Sequence, residues 1–357
     1  MRMWPNTRIT ERLKIRFPII QGPFGGGLSS VKLAATVSNA GGLGSFGAHY
    51  LDAAGITRIA SELRAATDKP FALNLWISSH DPGGRSLNSE QFAAALEQFK
   101  PFYDALKIAP PPLPAQFGQH YEDQIQALLD ARPAVFSFVF GIPSAEVIAE
   151  CRKRDIVTAG AITTPDEAIA MERAGVDVIV ATGFEAGGHR PSFFRSAEDS
   201  LTGTFTLVQT TAAVVKAPII AAGGIANARG IAAAFALGAE GAQIGTAFLA
   251  TEESNASALH RDALFSERAR HTMLTRQFSG RLARGLRNEF AESTQTPLPY
   301  PIQNWFVGSF RAAAAAQGKS EWMSMWAGQS APLIRHRSAA ELFAELVRDA
   351  EDLLHAR

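Results

Sequence analysis

Eight short apolar runs recur between residues 17 and 248, with helical patterns between most of them. They are Phe17–Gln21, Leu43–Phe46, Phe71–Ile77, Val135–Phe140, Ile156–Ala161, Asp177–Ala181, Pro218–Ala222 and Ala242–Phe248. Runs this short, rich in β-branched residues and bounded by turn formers, suit strands buried on both faces. Ser29 or Ser30 can cap a helix over Val31–Asn39. Thr164-Pro-Asp-Glu167 is a capping box with proline at the first helical position, closed by Gly175, and Asn227 caps a helix that Gly238 stops. Helical patterns also cover Asp52–Ala66, Ser144–Arg154 and Phe205–Val215. This alternation predicts an α/β fold, a (β/α)8 TIM barrel, with a doubly wound sheet as the weaker reading.

The alternation breaks in two places. Residues 78–133 hold the Asp81-Pro-Gly-Gly84 turn, helical patterns over Gln91–Leu106 and Tyr121–Ala131, and the Pro110–Pro114 run, an excursion expected to elaborate a binding site. Beyond Thr251 the patterns are helical without strands. The expected organisation is a barrel over 1–255, a helical C-terminal cap over the barrel mouth at 256–335, and a last helix near Ala339–Leu354, within 336–357, packing back on the barrel.

Formal net charge is zero, from 34 basic and 34 acidic residues, and no basic stripe interleaves with aromatics, so no nucleic-acid partner is expected. No run approaches the ~18 apolar residues of a membrane span, and Met1–Arg8 lacks the apolar stretch of a signal peptide. With Cys151 as the single cysteine, no internal disulfide can form, and a cytoplasmic location is expected. The signatures of phosphoryl transfer, zinc hydrolysis and Ser-His-Asp hydrolysis are missing, and no metal site is expected. Gly42-Leu-Gly-Ser-Phe-Gly47 matches G-x-G-x-x-G, but it lies in and just after a strand preceded by a helix. It also lacks an acidic partner ~20 residues on, and is set aside as a dinucleotide site.

Three strand ends carry chemistry. Ala181-Thr-Gly-Phe-Glu-Ala-Gly-Gly-His-Arg190 puts His189 on a glycine-bearing loop at the end of the sixth strand, the face on which barrels build active sites. Ala222-Gly-Gly-Ile-Ala-Asn227 and Gln243-Ile-Gly-Thr246 end the seventh and eighth strands, where backbone amides cradle phosphates. Asn74 interrupts an apolar strand and needs a hydrogen-bond partner or a ligand.

Taken together, Gln21-Gly-Pro-Phe-Gly-Gly-Gly27, Ser38-Asn-Ala-Gly-Gly-Leu-Gly44, Asn74, Glu185-Ala-Gly-Gly-His189, Ala221-Ala-Gly-Gly-Ile225 and Gln243-Ile-Gly-Thr-Ala-Phe-Leu-Ala250 resemble the nitronate monooxygenases. The resemblance runs over about residues 8–335 and includes Thr275-Arg-Gln-Phe-Ser-Gly280 and Trp326-Ala-Gly-Gln-Ser330. It implies an FMN-dependent barrel that oxidises alkyl nitronates with O2 to a carbonyl compound and nitrite. Gly22, Pro23 and Phe24 would lie against the flavin ring, and Asn74, Gly187, Gly224 and Gln243, Ile244, Gly245 and Thr246 would hold ring and phosphate, with Gly223 beside the phosphate. His189 matches the family's catalytic histidine, acting as base or as hydrogen-bond donor. Phe24, Phe46, Trp76 and Phe140 would bound a small pocket. Two departures stand out: Thr182 replaces a glutamine expected to touch the flavin, and Arg190-Pro191 replaces Arg-Gly. The alternatives are an FMN- and NADH-dependent enoyl-acyl carrier protein reductase and a phosphate-binding barrel without flavin. Oligomeric state is left open.

Overall fold

A computed structural model of the chain describes residues 4–77 and 86–355; the Asp81–Gly84 turn lies outside them. The strands, in chain order, are Ile19–Gln21 (β1), Gly44–Gly47 (β2), Phe71–Trp76 (β3), Val135–Val139 (β4), Val157–Ile162 (β5), Val178–Thr182 (β6), Gly188–His189 (β7), Ile219–Ala222 (β8), Gly241–Ile244 (β9), Thr272–Thr275 (β10) and Ala283–Leu286 (β11). Parallel pairing runs in the order β1-β9-β8-β6-β5-β4-β3-β2. Gln21 N–H donates to the Leu43 carbonyl (2.9 Å) and Leu43 N–H to that of Ile19 (3.0 Å). The resulting bridge between Ile20 and Leu43 brings the sheet round on itself. The fold is the TIM barrel that the alternation predicts.

The helices are Arg8–Leu13 (α1), Val31–Asn39 (α2), Ala53–Ala66 (α3), Ser89–Leu106 (α4), Tyr121–Ala131 (α5), Ala145–Lys153 (α6), Pro165–Ala174 (α7), Thr204–Ala212 (α8), Ala228–Ala236 (α9), Thr246–Leu249 (α10), Ala258–Leu264 (α11), Ile302–Ala316 (α12) and Ala339–His355 (α13). Both predicted glycine and capping signals of α7 are present: Thr164 and Glu167 satisfy each other's backbone, and Gly175 ends the helix at φ 84°. The last apolar run proves shorter as a strand than its composition suggests. It leaves the sheet at Gly245 and turns into α10, because its polar Gln243 and Thr246 belong to the barrel rim. No helix among the described residues is long and apolar enough to cross a membrane.

Ile20, Leu43, Val135, Val178 and Ile220 pack with Ile9, Leu13 and Ile15 of the α1 region, so the N-terminal segment joins the barrel-interior cluster. Ala161 and Ala222 of the same cluster also line the cavity, as does Thr182, and their small side chains leave it room. Burial of the aliphatic set contributes about 1.5–3 kcal/mol for each large side chain.

The cap differs from the all-helical expectation. β10 and β11 form an antiparallel ladder that β7 extends, with Ala283 opposite His189 and Arg284 opposite Gly188. The two residues of β7 are too few, and β10 and β11 too weakly alternating, for a period-2 signal to appear. α4, from the excursion, packs on α12 in a separate aromatic core: Phe99 stacks on Phe306 (centroids 4.8 Å apart) and Phe102 on Phe310 (5.1 Å). α5 packs instead beside α3 on the barrel wall.

Packing accounts for each glycine of Gly42-Leu-Gly-Ser-Phe-Gly47. A Cβ on Gly42 would stand 2.7 Å from the Ile19 carbonyl oxygen, one on Gly44 would fall on the Ala34 carbonyl, and one on Gly47 on that of Phe24. In contrast, a Cβ on Gly308, inside α12, would meet nothing within 4 Å. We expect Gly44→Ala to lower unfolding stability by roughly 3 kcal/mol or more, since helix backbone cannot move aside cheaply. Gly308→Ala should be neutral or stabilising by up to ~1 kcal/mol. Chemical denaturation of the two variants checks the pair.

Candidate active site

The chain leaves β1 and crosses the barrel mouth as Gly22-Pro-Phe24. Gly22 N–H donates to the Ile244 carbonyl (2.9 Å). A Cβ on Gly22 would stand 3.3 Å from Gly245 Cα, so these two loops meet backbone to backbone. Ser29 Oγ accepts from the Phe24 and Gly47 amides (3.0 Å each) and donates to the Phe24 carbonyl (2.9 Å), which holds the first loop in place.

Across the mouth, Gly223 and Gly224 have φ of 101° and 73°, a backbone that other residues rarely adopt. They lead into α9, whose cap Asn227 accepts from Gly230 N–H (3.1 Å). Glycines here and at Gly245 leave amides uncovered beside a helix N-terminus, the arrangement that suits a phosphate. Glu185 lines the same region, but its carboxylate takes the Thr204 amide and hydroxyl (2.9 Å each) at the start of α8. Its charge is thereby directed at a helix N-terminus.

His189 sits between barrel and cap. Nε2 lies 2.8 Å from Ser279 Oγ, on the turn that leads into β11. Nδ1 has no partner among the described residues and is open to the cavity. Trp76 and Trp326 pack against the ring at centroid distances of 4.9 and 5.2 Å. Burial among these rings lowers the imidazole pKa from 6.5 to about 4. If Nε2 carries the proton, Nδ1 is a lone-pair acceptor; if Ser279 donates, Nδ1–H is a donor.

His49 was not anticipated. It stacks flat on Trp76 (3.9 Å, 4° between planes), and its Nδ1 is buried without a partner among the described residues. Burial first, then the nearby His189 and Arg281, lowers its pKa to about 3. Its placement just after a strand end is the signal that also marks His189.

Gly22, Pro23, Phe24, Asn74, Thr182, Gly187, His189, Gly223, Gly224, Gln243, Gly245 and Thr246 all line one cavity of about 380 Å³. Ile244 does not: its side chain is fully buried in the core, and only its carbonyl serves the site, by anchoring Gly22. Phe24, Trp76 and Phe140 line the cavity, whereas Phe46 packs in the core. Asn74 donates to Ser137 Oγ (3.0 Å), its register partner on β4, and so meets the requirement for a polar partner. The cap adds Asn304, Arg311, Trp326, Gly328 and Ser330. No cluster of His, Cys, Asp or Glu among the described residues could hold a metal ion.

A parallel barrel whose strand-end loops and cap enclose one glycine-lined cavity, with a histidine at its wall, defines a TIM-barrel enzyme with its site at the C-terminal mouth. More narrowly, the chain belongs to the nitronate monooxygenase family, which it matches over residues 6–349, and with it to the oxidoreductases. It is 40% identical to a probable nitronate monooxygenase of Staphylococcus haemolyticus, over 99% of both chains. Among solved structures, nitroalkane oxidase from Streptomyces ansochromogenes superposes with a TM-score of 0.87 at 35% identity, covering 98% of this chain and 99% of that one. FabK from Thermotoga maritima gives 0.74 at 29%, covering 98% of each.

His49, His189 and His260 all have pKa values lowered by burial, to about 3, 4 and 4. The unfolded chain therefore binds protons more readily than the folded one below pH ~6.5. Their contribution to stability is complete above that pH and is lost as pH falls toward 4. We expect the thermal midpoint of cofactor-free protein to drop over this window, and to drop less steeply in His189→Asn than in wild type.

Proposed function

We propose that the protein is an FMN-dependent nitronate monooxygenase that converts alkyl nitronates, with O2, to a carbonyl compound and nitrite. The observation that carries the reading is His189 Nδ1, open to the cavity across from the glycine-lined strand ends. The residues present fit FMN: Gly223, Gly224, Gly245 and Thr246 would take the phosphate, while Gly22, Pro23, Phe24, Asn74, Gly187 and Gln243 would border the ring. Thr182 stands where a longer amide is expected. When bound, FMN supplies the redox chemistry with substrate and O2.

The protein's part is to position and to exclude water. Trp76, Phe140 and Trp326 supply apolar wall, and His189 meets the nitro end of the substrate. An imidazole depressed to about 4 is a weak base at neutral pH, where an acid–base group works best with a pKa near ambient. This supports a nitronate, which arrives already deprotonated, over a neutral nitroalkane; His189 acts as hydrogen-bond donor to a nitronate oxygen in the tautomer that carries its proton on Nδ1, with Ser279 Oγ donating to Nε2.

His189→Asn should retain fold and FMN while turnover of nitronate falls by about 10²–10⁴. Loss confined to neutral nitroalkane would instead make the histidine a base, and unchanged turnover of both would make it structural. For the cofactor, Gly224→Val should yield folded protein without a flavin spectrum. Full flavin occupancy in that variant would place the phosphate elsewhere. Oxygen uptake on a nitronate, compared with NADH oxidation on a crotonyl thioester, separates this reading from enoyl reduction.

A further inference from the structure

The cap wall of the cavity carries a cation that the roles above leave unused. α12 brings Asn304 and Arg311, seven residues apart and so on one helix face, to the cavity. Arg311 Nη1 donates to Ser324 Oγ (2.9 Å), and no carboxylate among the described residues pairs with it. Its Nη2 packs on backbone: a Cβ on Gly26 would stand 3.7 Å from it. Gly26 and Gly27 thus give the guanidinium a neighbouring loop without side chains.

The other ionisable groups in the lining leave Arg311 alone in sign. Among the described residues it is the only arginine or lysine there. Glu185 is engaged by the start of α8, and both imidazoles are held neutral. A guanidinium taken from water without an acid recovers its lost hydration only when an anion arrives.

We propose that Arg311, aimed by Ser324 and flanked by Asn304, is the residue that selects the anionic form of the substrate, a nitronate over its neutral nitroalkane. The inference rests on the nitronate reading of the cavity. What the guanidinium recognises is a planar oxyanion, which its fork can bind through two hydrogen bonds. Were the anion instead the cofactor phosphate, flavin content would report it.

The test uses FMN-loaded wild type, Arg311→Met and Arg311→Lys, with sodium nitrate as an unreactive planar oxyanion titrated by calorimetry at constant ionic strength. Arg311→Met should keep its FMN and its thermal midpoint but bind nitrate at least about tenfold more weakly. Its KM for nitronate should rise by a similar factor with kcat little changed, and its KM for neutral nitroalkane should stay within about twofold; Arg311→Lys should recover part of the nitrate affinity. Equal nitrate affinity in wild type and Arg311→Met, or flavin lost in step with the charge, would overturn the assignment. If Arg311→Met does not fold, Ser324→Ala serves: it should weaken nitrate about threefold by releasing the guanidinium, and no change there would likewise refute the proposal. Nitrate binding does not depend on turnover. A wild type that binds nitrate through Arg311 but oxidises no nitronate would therefore sink the functional reading and leave the oxyanion site standing.

Discussion

Two residues of antiparallel pairing, His189 with Ala283 and Gly188 with Arg284, tie the barrel to its cap, and the site geometry depends on them. Arg190 N–H extends the ladder to the Leu282 carbonyl (2.9 Å). Side chains alternate along a strand, so a slip of one residue would turn the imidazole away from its present face. Neighbouring contacts pin the register. Gly187 lies so close to the cap that a Cβ would stand 2.6 Å from Gly328 N. Gly328 N–H in turn donates to Thr246 Oγ1 (2.9 Å), and Gln329 N–H to the Glu185 carbonyl (2.8 Å). The loops after β6 and β9 are therefore stitched to one cap segment, and glycine at 187 is what lets the two backbones meet.

That enclosure sets the chemistry of the groups inside it. Trp76 is the centre of the wall, with His49 on its face, His189 at 4.9 Å and Phe140 at 4.9 Å. Phe140 sits in left-handed backbone at φ 68°, a costly conformation for a bulky residue, which its contacts must hold. Arg281 lies 3.7 Å above the Phe140 ring. Aromatic surface keeps water from the imidazoles, so the uncharged forms prevail, and a cation already nearby at Arg281 reinforces this at His49. The two histidines are therefore neutral at ordinary pH, and the positive charge at the lining comes from arginine.

Much of this was legible locally. Strand ends, caps and glycine pairs follow from short-range rules, so the barrel, His189 and the glycine-lined rim could be read from adjacent residues. Long-range partners could not. Ser279 stands 90 positions from the histidine it touches, and Trp326 and Arg311 reach the cavity only because α12 and the β10–β11 ladder fold over it. Ser279 and Trp326 did lie inside recognisable segments, Thr275–Gly280 and Trp326–Ser330, whereas Arg311 sits in an alanine-rich helix with no motif. Ile244 lies between two rim residues, and strand alternation sends its side chain to the core while Gln243 and Gly245 face the cavity.

Thr182 and Arg190-Pro191 are physically one feature. Arg190 is buried, and its Nη1 donates to the Thr182 carbonyl (2.8 Å) while Nη2 donates to the Ser200 carbonyl (2.6 Å). Burial lowers its pKa to about 10, opposed by Glu167 and Glu185, so it remains charged at neutral pH. Glu167, fully buried, accepts from the Phe193 and Phe194 amides (2.7 and 3.2 Å), just beyond Pro191. The chain after the histidine is thus held from both sides, and proline removes an amide that would otherwise need a partner there. The Thr182 hydroxyl turns back to the Val180 carbonyl (3.3 Å) instead of spanning the cavity. Shortening this side chain and stiffening the loop therefore act on the same end of β6: position 182 gives up reach into the cavity, and its carbonyl becomes the anchor for the arginine behind the His189 loop.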